Sequence, residues 1–439
     1  MKNLSVIILA AGHGTRMKSQ RPKILHAVAG KPMLHCILDQ LKVLNPDKVV
    51  IVVGSRDAMQ NFSHYRHIKC VLQKDKKGTA HAVMQTENEF RNYSGNILIL
   101  NGDVPLITER TLKNLITQHK SSYAVLSILT AIVKNPFGYG RIIRKQNEVI
   151  RIVEELDADD HTKKIKEINA GTYCFKSSYL FKVLRSIKKN PHKGEFYLTD
   201  AIEILNHEGA KIHPMTIEDN DEILGVNTRF HLAQANMIMQ RRLQKKLMDK
   251  GVTILDTNNT YIEYDVEIGQ DSIIYPFTFL YGNTRIGKNA SIGPFVQIYH
   301  TGIGDNARIF QSTIMESQLG DNIHIGPYAH IRDNSILKND AQIGNFVEIT
   351  RSNVGENTRA YHLSYIGDTE IGKKVNFGAG IITANFDGVR KNKTKIEDNV
   401  FIGSSTTIIA PAVVKKGEHI KSGSIIEGGK KGISRKKRK

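Results

Sequence analysis

The chain has 439 residues, 40% of them hydrophobic and 24% charged, with 62 Lys+Arg against 43 Asp+Glu for a formal net charge of +19. These values exclude a mini-protein, a collagen-like chain and a mostly disordered one, and the length suggests two or three domains. No run nears the roughly 18 apolar residues of a membrane span, and MKNLSVIILAAGHGTRM reaches Gly and Arg too soon for a signal peptide, so a cytoplasmic protein is expected.

In chain order, residues 5–10, 48–53, 96–100 and 123–128 read as strands buried on both faces, with amphipathic stretches such as 33–44 between them. The expected product is a mostly parallel α/β sheet, which binds its ligand beyond the carboxyl ends of its strands. The loops after Ala10 and Leu100 are therefore the first candidates for a site. Cys36, Cys70 and Cys174 lie far apart in apolar segments and read as buried structural thiols rather than a disulfide framework or a zinc site.

Residues 229–250 contain no Gly or Pro, are rich in Leu, Met, Gln and Ala, and end just before Gly251. They predict a connecting helix closed by that glycine. Beyond it an aliphatic residue followed by Gly recurs, from Ile268-Gly269, Ile286-Gly287 and Ile292-Gly293 to Ile402-Gly403, often at multiples of six residues. A six-residue period fits one side of a triangular parallel β-helix, with the aliphatic side chain filling the prism and Gly allowing the tight turn after it. The expected division is 1–228, a linker helix 229–250, and 251–439 with a basic tail.

Two motifs carry chemistry in the first half. After the first strand, Leu9, Ala10, Ala11, Gly12, Gly14 and Arg16 form a strand-to-helix loop whose backbone can approach phosphates, and Lys23 adds a second cation. The loop lacks the third Gly of a dinucleotide fingerprint and the Lys-Ser/Thr of a P-loop. LAAGHGTRM followed by RPKILH resembles the sugar-nucleotide pyrophosphorylase (nucleotidyltransferase) family. Matches continue through Gln73, Gly78-Thr79, Gly102-Asp103, Gly138 to Ile142, Glu154, Asn169, residues 194–200 and Asn227. With hexapeptide repeats behind it, nearly the whole chain resembles the bifunctional N-acetylglucosamine-1-phosphate uridylyltransferase / glucosamine-1-phosphate N-acetyltransferase family. The fold implied is an α/β Rossmann-like nucleotidyltransferase domain followed by a left-handed parallel β-helix.

That resemblance implies that N-acetylglucosamine-1-phosphate attacks UTP and expels pyrophosphate, with Mg²⁺ held by Asp103 and Asn227 and phosphate charge met by Arg16 and Lys23. It implies that residues 9–12, Gln73, Gly78 and Thr79 hold the uridine, and that Gly140, Glu154 and Asn169 hold the sugar. Asn101, before Gly-Asp, stands where the family often carries an aromatic or small residue.

In the second half, His362 matches the family's general base for acetyl transfer from acetyl-CoA to glucosamine-1-phosphate. The resemblance implies sugar-phosphate contacts at Arg332, Thr350, Tyr365 and Asn376, and acetyl-CoA contacts at Ala379, Asn385, Phe386, Ser404, Ser422 and Arg435. No cysteine follows Cys174, which favours direct transfer over a Cys acyl-enzyme. Four positions depart from the family pattern. Thr350 replaces a phosphate-binding Lys, Tyr361 a small residue, Phe386 an aromatic hydroxyl and Ser422 an Ala. Arg351 or Arg359 is the expected substitute cation. The alternative is a uridylyltransferase whose β-helix serves only as a scaffold.

The positive charge is concentrated. Residues 415–439 hold 10 basic and 2 acidic residues and 229–250 hold 6 and 1, so these two segments carry +13 of the +19. No nucleic-acid-binding motif accompanies them. Small phosphorylated substrates are the expected partners, with three copies of the chain assembling as a homotrimer.

Overall fold

The computed structural model describes residues 3–12, 14–60, 62, 68–428 and 430–433. Two compact units divide the chain, Met1–Met239 and Gln240–Lys439.

The first unit is built on a nine-stranded sheet. Its main path runs Ile212–Thr216, Leu126–Ile132, Glu167–Lys176, Asn96–Asn101, Leu4–Ala10, Lys48–Val53 and Ile68–Leu72. Neighbours are parallel except Glu167–Lys176, which runs antiparallel to both strands beside it. Strands such as VIIL and VVIVV read as continuous apolar runs because both faces are covered. One core packs Leu34, Ile37 and Leu41 of helix Met33–Leu44 against one face, and the other packs Val83, Leu180 and Leu184 against the opposite face. Leu9 lies beside Asn101 across the sheet, so the loops after the first strand and after Asn96–Asn101 emerge side by side. This is where strand order reverses, the customary place for a ligand.

Two expectations need adjusting. The strand expected over 123–128 is Leu126–Ile132. Helix Glu109–Ser121 closes just before it, and Tyr123 is 81% exposed at φ +54°, so the YAV start of the apolar run forms the turn and not the strand. Cys36 and Cys174 are buried as expected, but Cys70 is only half-buried on the edge strand.

The unit boundary falls within helix Arg229–Met248. Asn236 accepts a hydrogen bond from the Ala29 N–H at 2.8 Å, whereas Gln240 and Gln244 bond the backbone of Ile262 and Thr260. Gly251 at φ +88° closes the helix: its N–H reaches Met248 O at 2.9 Å and that of Val252 reaches Leu247 O at 3.2 Å. This 5→2 and 6→1 pairing is a Schellman cap, which requires the left-handed conformation that Gly adopts without penalty.

The second unit is a parallel β-helix. Among the described residues every third strand joins the same sheet, giving three parallel ladders of ten, ten and nine strands, and Lys430–Ile433 adds an eleventh strand to the second of them, antiparallel to Ile425–Glu427. Ile292, Ile309, Ile325 and Ile343 are successive ladder partners pointing into one apolar core. The Ile-Gly pairs locate the repeats, but most of their glycines do not have the positive φ expected of a turn. A Cβ on Gly269 would lie 2.6 Å from the Gly287 carbonyl carbon, and one on Gly287 as close to that of Gly304. Close approach of successive coils is what excludes a side chain there. Positive φ at the corners belongs instead to residues such as Asn289, Asn306, Asn322 and Asp340, whose short polar side chains tolerate it.

Candidate functional site

In the first unit, the carboxyl end of the sheet opens into a cavity of about 500 Å³. Residues 9–12, Lys23, Gln73, Gly78, Thr79, Asp103 and Glu154 line it, together with Lys76, Asn101, Glu195 and Tyr197. Lys23 Nζ bonds Asp103 Oδ2 at 2.5 Å and Asn227 Oδ1 at 3.1 Å, and Arg16 Nη2 bonds the same Asn227 oxygen at 3.1 Å. Gly14, at φ +61°, makes room for this lysine, because a Cβ there would sit 2.8 Å from Lys23 Cβ.

Two hard oxygens, Asp103 Oδ2 and Asn227 Oδ1, thus converge on one cationic nitrogen. That donor set suits a divalent ion that takes one carboxylate and completes its shell with substrate phosphates. Among the described residues no cluster of three His, Cys, Asp or Glu side chains offers a closed protein cage.

Gln73 is buried, with Nε2 donating to Gly78 O at 3.1 Å and within 3.0 Å of His81 Nδ1. Gly78 has φ +98°, and a Cβ would lie 2.4 Å from Phe196 O. Thr79 Oγ1 accepts the Leu198 N–H at 3.0 Å, so residues 78–79 are tied to 196–198. Farther along, Glu154 Oε1 accepts from Thr199 Oγ1 at 2.9 Å. Burial pushes the Glu154 carboxyl above its ordinary range, opposed by that hydrogen bond. Asn169 bonds the Gly140 carbonyl through its backbone N–H at 2.9 Å and the buried Tyr173 hydroxyl through Nδ2 at 2.6 Å. The cavity and its flank therefore collect the predicted first-half residues into one region.

In the second unit the predicted residues fall into three groups. His362 ends strand Arg359–His362 and is paired in register with Asn345, whose Oδ1 lies 2.8 Å from His362 Nδ1. With that oxygen as acceptor, Nδ1 carries the proton and Nε2 keeps its lone pair. Beside it, the Tyr361 hydroxyl bonds Gln342 Oε1. A second group lies on another ladder, where Arg332, Thr350 and Gly367 are successive partners and Tyr365 begins the last of the three strands. Thr350 is fully buried and donates to Asp333 Oδ2 at 2.9 Å. Asn385 Nδ2 reaches the Tyr365 hydroxyl at 3.4 Å and Asp368 Oδ2.

The third group is a column. Ser405 N–H bonds Ala379 O at 2.7 Å, and Gly423 N–H bonds Ser404 O at 2.8 Å, so Ala379, Ser404 and Ser422 stack in successive coils. Asn376 pairs with Arg359 and Phe401 on the ladder that carries His362. Phe386 is 60% exposed in a loop that departs from the coil. Arg435 lies outside the described residues.

Arg351 is not a free cation. Its Nε and Nη2 fork onto Asp368 at 2.8 and 3.0 Å, and Nη1 bonds Asp333 Oδ2 at 2.8 Å. Arg359 lies on a different ladder from Thr350.

Residues 5–221 match the nucleotidyl transferase family and 265–300 the bacterial transferase hexapeptide repeat. The chain is 43% identical over 97% of its length to the bifunctional protein GlmU of Halalkalibacterium halodurans, covering 94% of that protein. It is 44% identical to the bifunctional protein GlmU of Caldicellulosiruptor saccharolyticus and 45% to that of Streptococcus agalactiae, over 97% and 96% of this chain and 92% of each relative. The chain belongs to the bifunctional GlmU family.

Several residues of this GlmU-family chain were not singled out from its sequence. Asn345 and Asp333 act on their neighbours through contacts made one coil away, so only the 16-to-18-residue ladder spacing could have linked them. Thr199 comes from a separate element and meets Glu154 only in the folded unit, whereas Tyr173 lies on the same strand as Asn169, four residues on.

Proposed function

We propose that this chain makes UDP-N-acetylglucosamine in two reactions, one per unit. In the second unit the amine of glucosamine-1-phosphate attacks the thioester carbonyl of acetyl-CoA. The new C–N bond replaces the C–S bond, CoA leaves as thiolate, and His362 Nε2 takes the amine proton while Asn345 fixes its tautomer. In the first unit a phosphate oxygen of the resulting N-acetylglucosamine-1-phosphate attacks the α-phosphorus of UTP, and the bond to pyrophosphate breaks.

The observation that carries the reading is the convergence of Arg16, Lys23, Asp103 and Asn227 beside the cavity lined by residues 9–12, Gln73, Gly78 and Thr79. Mg²⁺ held by Asp103 and Asn227 would neutralise phosphate charge and align the leaving group. Arg16 and Lys23 turn to the phosphates and meet the charge that shifts onto pyrophosphate, a role in which one preorganised donor is worth about a hundredfold or more in rate. Gly140, Glu154 and Asn169 are assigned to the sugar, and residues 9–12 with Gln73 to the uridine. The Ala379, Ser404 and Ser422 column, with Asn385 and Phe386, is assigned to acetyl-CoA. Its substrates being nucleotide and acyl-CoA metabolites, we assign the enzyme to the cytoplasm.

Three copies are proposed to assemble. Phe277 stacks on Phe295 and Tyr328 on Phe346 along one corner of the β-helix, each with more than a third of its surface in solvent. An exposed aromatic row of this kind supports a protein partner. A monomer by light scattering with full acetyl transfer would refute the trimer.

The decisive assay supplies glucosamine-1-phosphate, acetyl-CoA, UTP and Mg²⁺ and follows CoA and pyrophosphate separately. Both products are expected. Pyrophosphate from added N-acetylglucosamine-1-phosphate, with CoA release no faster than in His362→Ala, would leave a uridylyltransferase with a scaffold β-helix.

A further inference from the structure

Where the family pattern carries a lysine, this chain has Thr350, and what surrounds it is a filled cradle. Asp333, Arg351 and Asp368 follow the ends of three successive strands of one ladder, at φ between +47° and +55°. One oxygen, Asp333 Oδ2, receives three donors: Thr350 Oγ1 at 2.9 Å, Arg351 Nη1 at 2.8 Å and Arg332 Nη1. The second acceptors of both guanidinium groups are carboxylates as well. Glu348 Oε1 takes Arg332 Nε and Nη2 at 3.0 and 2.6 Å, and Asp368 takes the fork of Arg351.

Three convergent donors, two of them cationic, are what recognition of a phosphate oxygen requires. We infer that the Asp333 carboxylate is a built-in occupant of the sugar-phosphate cradle formed by Arg332, Thr350 and Arg351, which a phosphorylated sugar must displace. The inference rests on the acetyl-transfer reading of this unit. No covalent step is involved: one anion exchanges for another, and Asp333, 37% exposed at its side chain, turns towards solvent. The hydrogen bond from Thr350, followed by the charges of Arg332 and Arg351, holds the Asp333 carboxyl below its usual range despite partial desolvation, so it remains an anion at neutral pH. The ladder survives the exchange, because Arg351 keeps its fork on Asp368 and Arg332 keeps Glu348.

Asp333 therefore sets affinity for the phosphorylated substrate: it weakens binding and leaves the chemistry at His362 untouched. Calorimetry on the full chain, with inorganic phosphate and with glucosamine-1-phosphate as probes, tests this in Asp333→Ala and Asp333→Asn. Asp340→Ala serves as the control for the loss of one negative charge. Removing a competing charge-assisted contact should tighten binding of both probes by roughly tenfold. The KM for the sugar phosphate should fall by a similar factor at constant kcat, while Asp340→Ala behaves as wild type. Binding by the Asp333 variants no tighter than by Asp340→Ala, at an unchanged melting temperature, overturns the inference. So does weaker binding together with a lowered melting temperature, which would make Asp333 a clamp between coils. Tighter phosphate binding without CoA release from any variant would sustain the cradle and sink the acetyl-transfer reading instead.

Discussion

Lys23 Nζ and Asp103 Oδ2 lie 2.5 Å apart where the first strand and Asn96–Asn101 deliver their loops side by side. On the proposed reading, a divalent cation held by Asp103 and Asn227 would compete with the Lys23 ammonium for the same two oxygens, so that its binding would release Lys23 towards the phosphates. Asp103→Asn should lower uridylyl transfer by about a hundredfold or more and raise the Mg²⁺ concentration needed for half-maximal rate. Lys23→Ala should lose a comparable factor yet need no more Mg²⁺ than wild type, because Asp103 is freed. Pyrophosphate release across a Mg²⁺ titration separates the two, and a higher Mg²⁺ requirement in Lys23→Ala would refute the coupling.

Asp200 gives a pH signature of the Glu154 side of that cavity. Burial, then the negative charges of Glu154, Glu203 and Asp157, push its carboxyl up to about 6. A raised carboxyl favours the folded state while it is protonated, so the benefit is full below its ordinary value near 3.8 and is lost as pH rises through about 6. Asp200→Asn should therefore raise the melting temperature of the first unit at pH 8 and give no gain below about pH 4. With part of the side chain in solvent, the difference is about 1 kcal/mol rather than the near 3 kcal/mol of a fully buried group. A melting curve at each pH reads it.

Asn345 should matter to acetyl transfer without touching substrate. Its Oδ1 at 2.8 Å from His362 Nδ1 selects the tautomer in which Nε2 can accept a proton. Asn345→Ala is expected to lower kcat for CoA release by about tenfold, against at least a hundredfold for His362→Ala. Asn345→Asp, which preserves an acceptor, should retain activity.

Gly287 tests the meaning assigned to the Ile-Gly pairs. A Cβ there meets the Gly304 backbone at 2.6 Å, so Gly287→Ala must push two coils apart and should destabilise the second unit by about 1 to 3 kcal/mol. Gly417→Ala meets nothing within 4 Å and carries only the strain of φ +73°. Denaturant midpoints for the two should differ, with Gly287→Ala the lower.

The sequence disclosed what has a period or a local signature. VIIL, VVIVV and NILIL are strands because an apolar run covered on both faces has few other stable solutions, and Ile-Gly spacing marks the coils. The loop after the first strand was legible as a candidate site, since glycines followed by Arg16 and Lys23 have a direct physical use, and Gly12 and Lys23 do line the cavity. What stayed hidden was contact between distant positions. Nothing in Asp333, Asn345 or Thr199 alone says that it meets Thr350, His362 or Glu154. The end of helix Glu109–Ser121 was likewise invisible in the apolar letters that follow it, which placed the next strand three residues early.

Along the His362 ladder, partners from Ile274 onwards sit 16 to 18 residues apart, as Ile309 to Ile325 and Ile325 to Ile343 show, until Phe377 meets Ile402 after 25. The surplus leaves the prism as the loop bearing Phe386, folded on Asp387 through Val389, Arg390 and Asn392. A stack of this sort has a length quantum. Adding or deleting one full turn returns every later side chain to its own wall, whereas cutting six residues keeps the core aliphatics facing inwards but moves every later residue onto a different wall, parting ladder partners such as Asn345 and His362. New parts can therefore enter this half of the chain only as whole turns or as excursions that return to where they left.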